Sequence, residues 1–132
     1  MKRHEAREQA FIVLFEKLFT EETVCEIIEK AKTIRDFKED EYISKVVLGV
    51  ETNCAEIDAL FEKYLQNWSK DRISKVSLCI LRAATYEFLY QKDIPVGVII
   101  DEAVELAKKY STKEDSAFVN GVLGNMSRET ER

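Results

Sequence analysis

Apolar residues recur at intervals of three and four along most of the chain, and this period constrains the fold more than any other feature. In the first predicted helix, about Arg3 to Phe19, residues Ala10, Leu14 and Leu18 fall on one stripe. No useful stretch alternates between apolar and polar residues, and the chain has only 4 glycines and 1 proline. We therefore predict an all-α protein of about six to seven helices.

Local signals mark where several helices begin. Thr23 and Glu26 have capping-box spacing, Ser74 can cap a helix over the following residues, and Pro95 suits a first turn. A polar connector is expected over 111–116, before the last helix. Between residues 40 and 66 the helical pattern is long, and the sequence leaves open whether it forms one helix or two.

Composition excludes several classes of protein. The 132 residues suit one domain or two sub-bundles sharing a core, and 45% hydrophobic content can fill such a core. The three cysteines, Cys25, Cys54 and Cys79, are too scattered for a metal site or a disulfide framework, and we expect no cofactor. No apolar run reaches the roughly 20 residues that span a bilayer. The apolar stretch 10–15 lacks a following cleavage site, so we reject a secretion signal and expect a cytoplasmic protein.

The net charge of −5 opposes general binding of nucleic acid, so any such site has to be local. One cluster of basic residues occurs at a chain end: Lys2, Arg3, His4 and Arg7. Because Arg3 and Arg7 share the stripe of Ala10 and Leu14, we expect their side chains to project over the end of the helical bundle.

Three segments resemble the NusB family in order and spacing: residues 80–87 (ILRAATYE), 94–110 (IPVGVIIDEAVELAKKY) and 116–123 (SAFVNGVL). The resemblance implies two packed three-helix-like halves, about 1–66 and about 67–132. It also implies a transcription antitermination factor. Such a factor binds the single-stranded boxA element of ribosomal RNA leaders together with the ribosomal protein NusE, and it helps RNA polymerase to read through terminators.

The resemblance also implies the positions of site residues. RNA contacts fall on the basic cluster at the N-terminus, on Phe118 as a platform for base stacking, and on Glu114 and Asn120 beside it. Glu5 and Glu8 interrupt the basic cluster, so we expect weak intrinsic affinity that depends on NusE. Phe15 and Ser77 correspond to partner-binding positions. Core packing is the alternative for Phe15 and Phe118.

Other functions fit the sequence less well. An enzyme is disfavoured because the single histidine, His4, lies at the chain end, where no oriented triad or metal set can form. A helical adaptor that binds only protein is the main alternative. A relative of the NusB-like domain fused to ribosomal RNA methyltransferases is another, although no methyltransferase domain follows Arg132. A homodimer that hides the RNA face is also compatible with the sequence.

Overall fold

The computed structural model describes residues 1–35, 37–66 and 68–130. Within these residues the chain forms α-helices, one short 3-10 helix and no strand. The prediction of an all-α fold with about six to seven helices is therefore confirmed. The helices are α1 (Arg3–Lys17), α2 (Val24–Ile34), α3 (Glu41–Thr52), α4 (Cys54–Glu62), α5 (Lys75–Tyr90), α6 (Val96–Tyr110) and α7 (Lys113–Glu129), with the 3-10 turn at Lys70–Arg72 before α5.

The predicted start signals act as expected at α2 and α5. The Thr23 hydroxyl accepts a hydrogen bond from the Glu26 N–H while the Glu26 carboxylate accepts one from the Thr23 N–H. Ser74 caps α5 by accepting from the backbone of Ser77. Each cap satisfies a backbone donor that the first helical turn cannot satisfy itself.

Two helix starts differ from the prediction. Pro95 precedes α6 as its N-cap instead of lying in its first turn. The predicted connector over 111–116 is wrong, because α7 already begins at Lys113, where the Thr112 hydroxyl accepts from the Asp115 N–H. A polar composition favoured a loop there, but a threonine cap with two acidic residues in the first helical turn is also a good helix start.

The long pattern between residues 40 and 66 forms two helices, α3 and α4, which meet at Asn53. Close packing explains why α3 carries a glycine. A Cβ added at Gly49 would lie 2.1 Å from Cε1 of Tyr86 on α5, which is far inside van der Waals contact. Gly49 therefore lets α3 and α5 approach each other closely.

Helix α5 occupies the centre of the fold, where it contacts α1, α3, α4, α6 and α7. Its buried residues Cys79, Ile80 and Leu81 belong to one continuous core with α1 and α7. Whether the chain divides into halves at about 66 and 67 remains a prediction, and Asn67 at that boundary and the last residues, 131–132, lie outside the described residues. Among the helices described, none is long and apolar enough to cross a membrane.

Candidate nucleic-acid interface

The basic end of the molecule, which we define as Lys2, Arg3, His4 and Arg7, lies at the N-terminus of α1. The first three of these residues are exposed. The guanidinium carbon of Arg3 lies 3.9 Å from the centroid of the Tyr42 ring, a cation–π distance. Lys2 and Arg3 therefore present positive charge to solvent, and Arg3 does so from a fixed position.

Arg7 lies largely inside the structure, and only 10% of its side chain is exposed. Its Nε donates to both carboxylate oxygens of Glu87 on α5, at 2.9 and 3.3 Å. The buried Tyr42 hydroxyl also donates to Glu87. The expectation that Arg7 projects over the bundle end is therefore wrong, because its stripe on α1 leads into the interface with α5.

Glu102 on α6 completes this cluster. One of its carboxylate oxygens lies 2.7 Å from Nδ1 of His4, and the other lies 3.6 Å from Nη1 of Arg7. Its hydrogen bond and negative charge raise the pKa of His4 above the usual value of a histidine. The side chain of Glu102 is only 23% exposed and faces α1.

The second candidate surface is an open groove of about 300 Å³ beside the start of α7. We call it the Phe118 groove, after the half-buried Phe118 that lines it. Trp68, 54% exposed, lines the same groove. The lining residues are Trp68, Arg72, Ile73, Ser74, Glu114, Asp115 and Phe118.

The predicted residues Glu114 and Phe118 thus share one groove, whereas Asn120 is exposed on α7 and does not line it. Phe118 packs against the core with part of its ring and leaves the rest accessible. Both interpretations of Phe118, core packing and an accessible ring, therefore hold in part.

The two predicted partner residues are placed differently. Phe15 is half-buried, and its ring lies 6.1 Å from that of Phe11 and 5.1 Å from that of Phe19, which is 62% exposed. Ser77 is fully buried in α5, and its hydroxyl has no hydrogen-bond partner among the described residues. This placement gives a partner no direct access to the Ser77 side chain.

The aromatic face, which we define as Phe15, Phe19 and Tyr110, continues across to α6. Tyr110 is 38% exposed, and its ring centroid lies 5.1 Å from that of the buried Phe11. Burial and a hydrogen bond to Glu8 raise the pKa of Tyr110 to about 12, so its hydroxyl stays protonated. An exposed run of large apolar rings at the end of a helix is typical of an interaction surface.

Comparison with known proteins identifies the family. The NusB family model matches residues 4–128. The chain belongs to the NusB family. It is 45% identical over 129 residues to the transcription antitermination protein NusB of Listeria monocytogenes, covering 98% of each chain. It is also 45% identical over 130 residues to the protein of that name from Clostridium novyi, covering 96% of this chain and 98% of that one.

Solved structures agree with this assignment. NusB of T. maritima superposes with a TM-score of 0.89 at 35% identity, covering 100% of this chain and 94% of that one. A crystal structure of the antitermination factors NusB and NusE in complex with dsRNA matches with a TM-score of 0.85 at 30% identity, covering 98% of this chain and 100% of that one. The three segments that resemble the NusB family correspond to part of α5, to α6 with the two residues before it, and to part of α7. These three helices pack on one another.

Sequence reasoning missed four residues of these candidate surfaces. Trp68 carried a usable signal, because the large tryptophan side chain is rarely buried completely. Arg72 was one charge in a polar turn. Glu87 and Glu102 carried no local signal, since they meet the basic end across 80 and 98 residues of sequence.

Proposed function

We propose that this chain is a transcription antitermination factor that binds RNA jointly with NusE and supports elongation by RNA polymerase. The observation that carries the proposal is the full-length similarity to the NusB of a solved complex with NusE and dsRNA. The curated relatives named transcription antitermination protein NusB support the same function. We further propose that the RNA is a single-stranded boxA-like element.

The RNA surface in this proposal extends from the basic end to the Phe118 groove. Lys2 and Arg3 supply exposed positive charge that releases counterions from phosphates. Phe118 and Trp68 supply aromatic faces, and each stacked base is worth about 1–3 kcal/mol. Arg72 in the same groove adds a guanidinium, while Glu114 reduces the positive potential there.

Intrinsic RNA affinity is expected to be low. The net charge is −5, and Glu87 and Glu102 neutralise Arg7 and His4. NusE has to contribute the missing affinity, either through its own RNA contacts or by ordering the RNA on this surface. For NusE we propose the aromatic face, whose exposed rings, Phe19 and Tyr110, lie just after α1 and at the end of α6.

A protein adaptor without RNA binding is the second candidate, favoured by the exposed aromatic face. A catalytic role is not proposed, since the relatives are named as transcription antitermination proteins. Burial raises the pKa of the Cys79 thiol to about 12, so this thiol is a poor nucleophile at neutral pH. We place the protein in the cytoplasm, where transcription takes place.

RNA binding in the presence and absence of NusE tests the proposal. Anisotropy of a labelled boxA-like oligonucleotide should rise at low protein concentration only when NusE is present. A scrambled oligonucleotide is the control for sequence, and a duplex of the same sequence distinguishes single-stranded from double-stranded recognition. If this chain binds NusE but never changes RNA binding, the adaptor function replaces the proposed one.

Substitutions at the basic end and in the Phe118 groove test where the RNA binds. Lys2→Ala/Arg3→Ala should flatten the dependence of log K on log salt by about 1.4, since each single-strand phosphate contact contributes about 0.7. Phe118→Ala should weaken binding by about 1–3 kcal/mol at all salt concentrations. Phe118→Leu keeps apolar packing without a flat ring, so it should lose similar affinity with a smaller loss of stability.

A further inference from the structure

The carboxylate of Glu102 lies where an incoming anion would bind at the basic end. It lies 2.7 Å from Nδ1 of His4 and 3.6 Å from Nη1 of Arg7, so one carboxylate serves both cationic side chains. A carboxylate and a phosphate offer the same kind of oxygen acceptor to such donors. The two anions therefore compete for the same hydrogen bonds.

The two cationic partners differ in how freely they can exchange acceptors. Arg7 keeps its hydrogen bonds to Glu87 whatever happens to Glu102, because those bonds use its Nε. The His4 side chain is 60% exposed and has Glu102 as its one hydrogen-bond partner among the described residues. His4 can thus exchange a carboxylate for a phosphate without unfolding the helix.

Other charges reach His4 from α1 and α6. Glu8 lies one turn along α1 and favours protonated His4, whereas Lys109 on α6 opposes it. Lys109 is itself held by Glu8 in an ion pair, so these two charges largely offset each other. Glu102 therefore dominates the electrostatic environment of His4.

We propose that Glu102 is an intramolecular competitor for RNA phosphate, which occupies the basic end in the free protein and is displaced from His4 when RNA binds. This inference rests on the proposed function and adds a residue that limits affinity. Because displacing Glu102 from His4 costs free energy, RNA binding needs additional binding free energy, which NusE supplies. It also explains how a member of an RNA-binding family can hold two residues of its basic end, His4 and Arg7, in ion pairs with its own carboxylates.

The test compares Glu102→Gln with Asp101→Asn, measured with NusE and the boxA-like oligonucleotide. Both variants remove one negative charge from α6, but Asp101 is exposed and holds no ion pair among the described contacts. Glutamine retains an oxygen that accepts hydrogen bonds, so the fold is preserved. Glu102→Gln should bind RNA about two- to fivefold more tightly than the wild type, the range expected for loss of one exposed ion pair, while Asp101→Asn should change less.

A second readout separates competition from a structural role. His4 is the single histidine of the chain, so its imidazole titration by NMR is unambiguous. In the free protein Glu102→Gln should lower the pKa of His4 toward about 6.5. Adding RNA and NusE to that variant should raise the His4 pKa again, because phosphate takes the place of the carboxylate.

Equal gains from Glu102→Gln and Asp101→Asn would mean that only net charge matters and would overturn the inference. Weaker binding by Glu102→Gln would mean that Glu102 positions the basic end, which also overturns it. In both cases the proposed function stands, because the wild type still binds RNA with NusE. Absence of binding by the wild type and every variant would overturn the proposed function and this inference together.

Discussion

Arg7 shares a stripe of α1 with Ala10 and Leu14, both of which are buried. A cationic side chain on such a stripe has to find an acid inside the fold, and Glu87 on α5 supplies it. Arg7 is therefore a structural residue before it is an RNA contact. Loss of RNA binding on replacing Arg7 would report on the fold as much as on the interface.

The first prediction concerns this buried pair. Arg7→Ala leaves Glu87 without its guanidinium partner, so the free energy of unfolding should fall by about 3 kcal/mol in urea denaturation. Lys2→Ala, which removes an exposed charge from the same end, should change it by less than about 0.5 kcal/mol. Similar midpoints for the two variants would contradict the structural role of Arg7.

Some residue-level features could be predicted from the sequence and others could not. The Thr23 cap was predictable because its partner Glu26 lies three residues away. Phe118 came from a family resemblance, which places a residue but not its exposure. The burial of Ser77 and the pairing of Glu102 with His4 depend on how distant helices meet, and periodicity on one helix carries no information about that.

Between elements, the contact of α3 with α5 depends on the absence of a side chain at Gly49. The contact of α4 with α5 includes a buried ion pair. Asp58 on α4 is buried, and its two oxygens accept from Arg82 of α5 at 2.9 and 2.8 Å. Lys70 of the 3-10 turn adds a third hydrogen bond to Asp58 at 3.2 Å.

The second prediction compares two glycines. Gly49→Ala drives a methyl group into Tyr86 and should cost about 1–3 kcal/mol of stability, the range for overpacking. Gly97→Ala is the matched control, since a Cβ there meets nothing within 4 Å, and it should stabilise the helix by about 0.4–1 kcal/mol. Thermal unfolding of both variants measures the difference. A stabilising effect at both positions would contradict the close approach of α3 and α5.

The third prediction concerns pH. Burial alone would raise the pKa of Asp58, but the hydrogen bonds and charges of Arg82 and Lys70 outweigh it and lower the pKa below the usual value. A lowered pKa in the folded state stabilises the fold above the unfolded pKa of 3.8, and this contribution is lost as the pH falls through the folded value.

Asp58→Asn should therefore lower the stability at pH 7 and flatten its dependence on pH below about 4. Glu62→Gln is the control, because Glu62 is exposed and lies 3.4 Å from the same Lys70. Urea denaturation at a series of pH values measures both. An unchanged acid limb in Asp58→Asn would show that the ion pair between α4 and α5 contributes nothing.

At the scale of the whole molecule, an acidic protein carries a small basic end, a groove with two aromatic side chains and an aromatic face. The fold class and the family could be predicted from the sequence, because helical periodicity and three spaced segments extend over most of the chain. The balance of charge at the basic end could not be predicted, because it depends on carboxylates of α5 and α6 that the fold brings against α1. That balance is why we assign RNA binding to a joint surface with NusE.

Terminator read-through tests this account most directly. The measurement is transcription in a bacterial extract depleted of its own NusB, on a template with a boxA element ahead of a terminator. Adding this chain should restore read-through on that template but not on one with a scrambled boxA, and Lys2→Ala/Arg3→Ala should restore less. Read-through that stays at the depleted level, or that rises equally without boxA, would contradict the account.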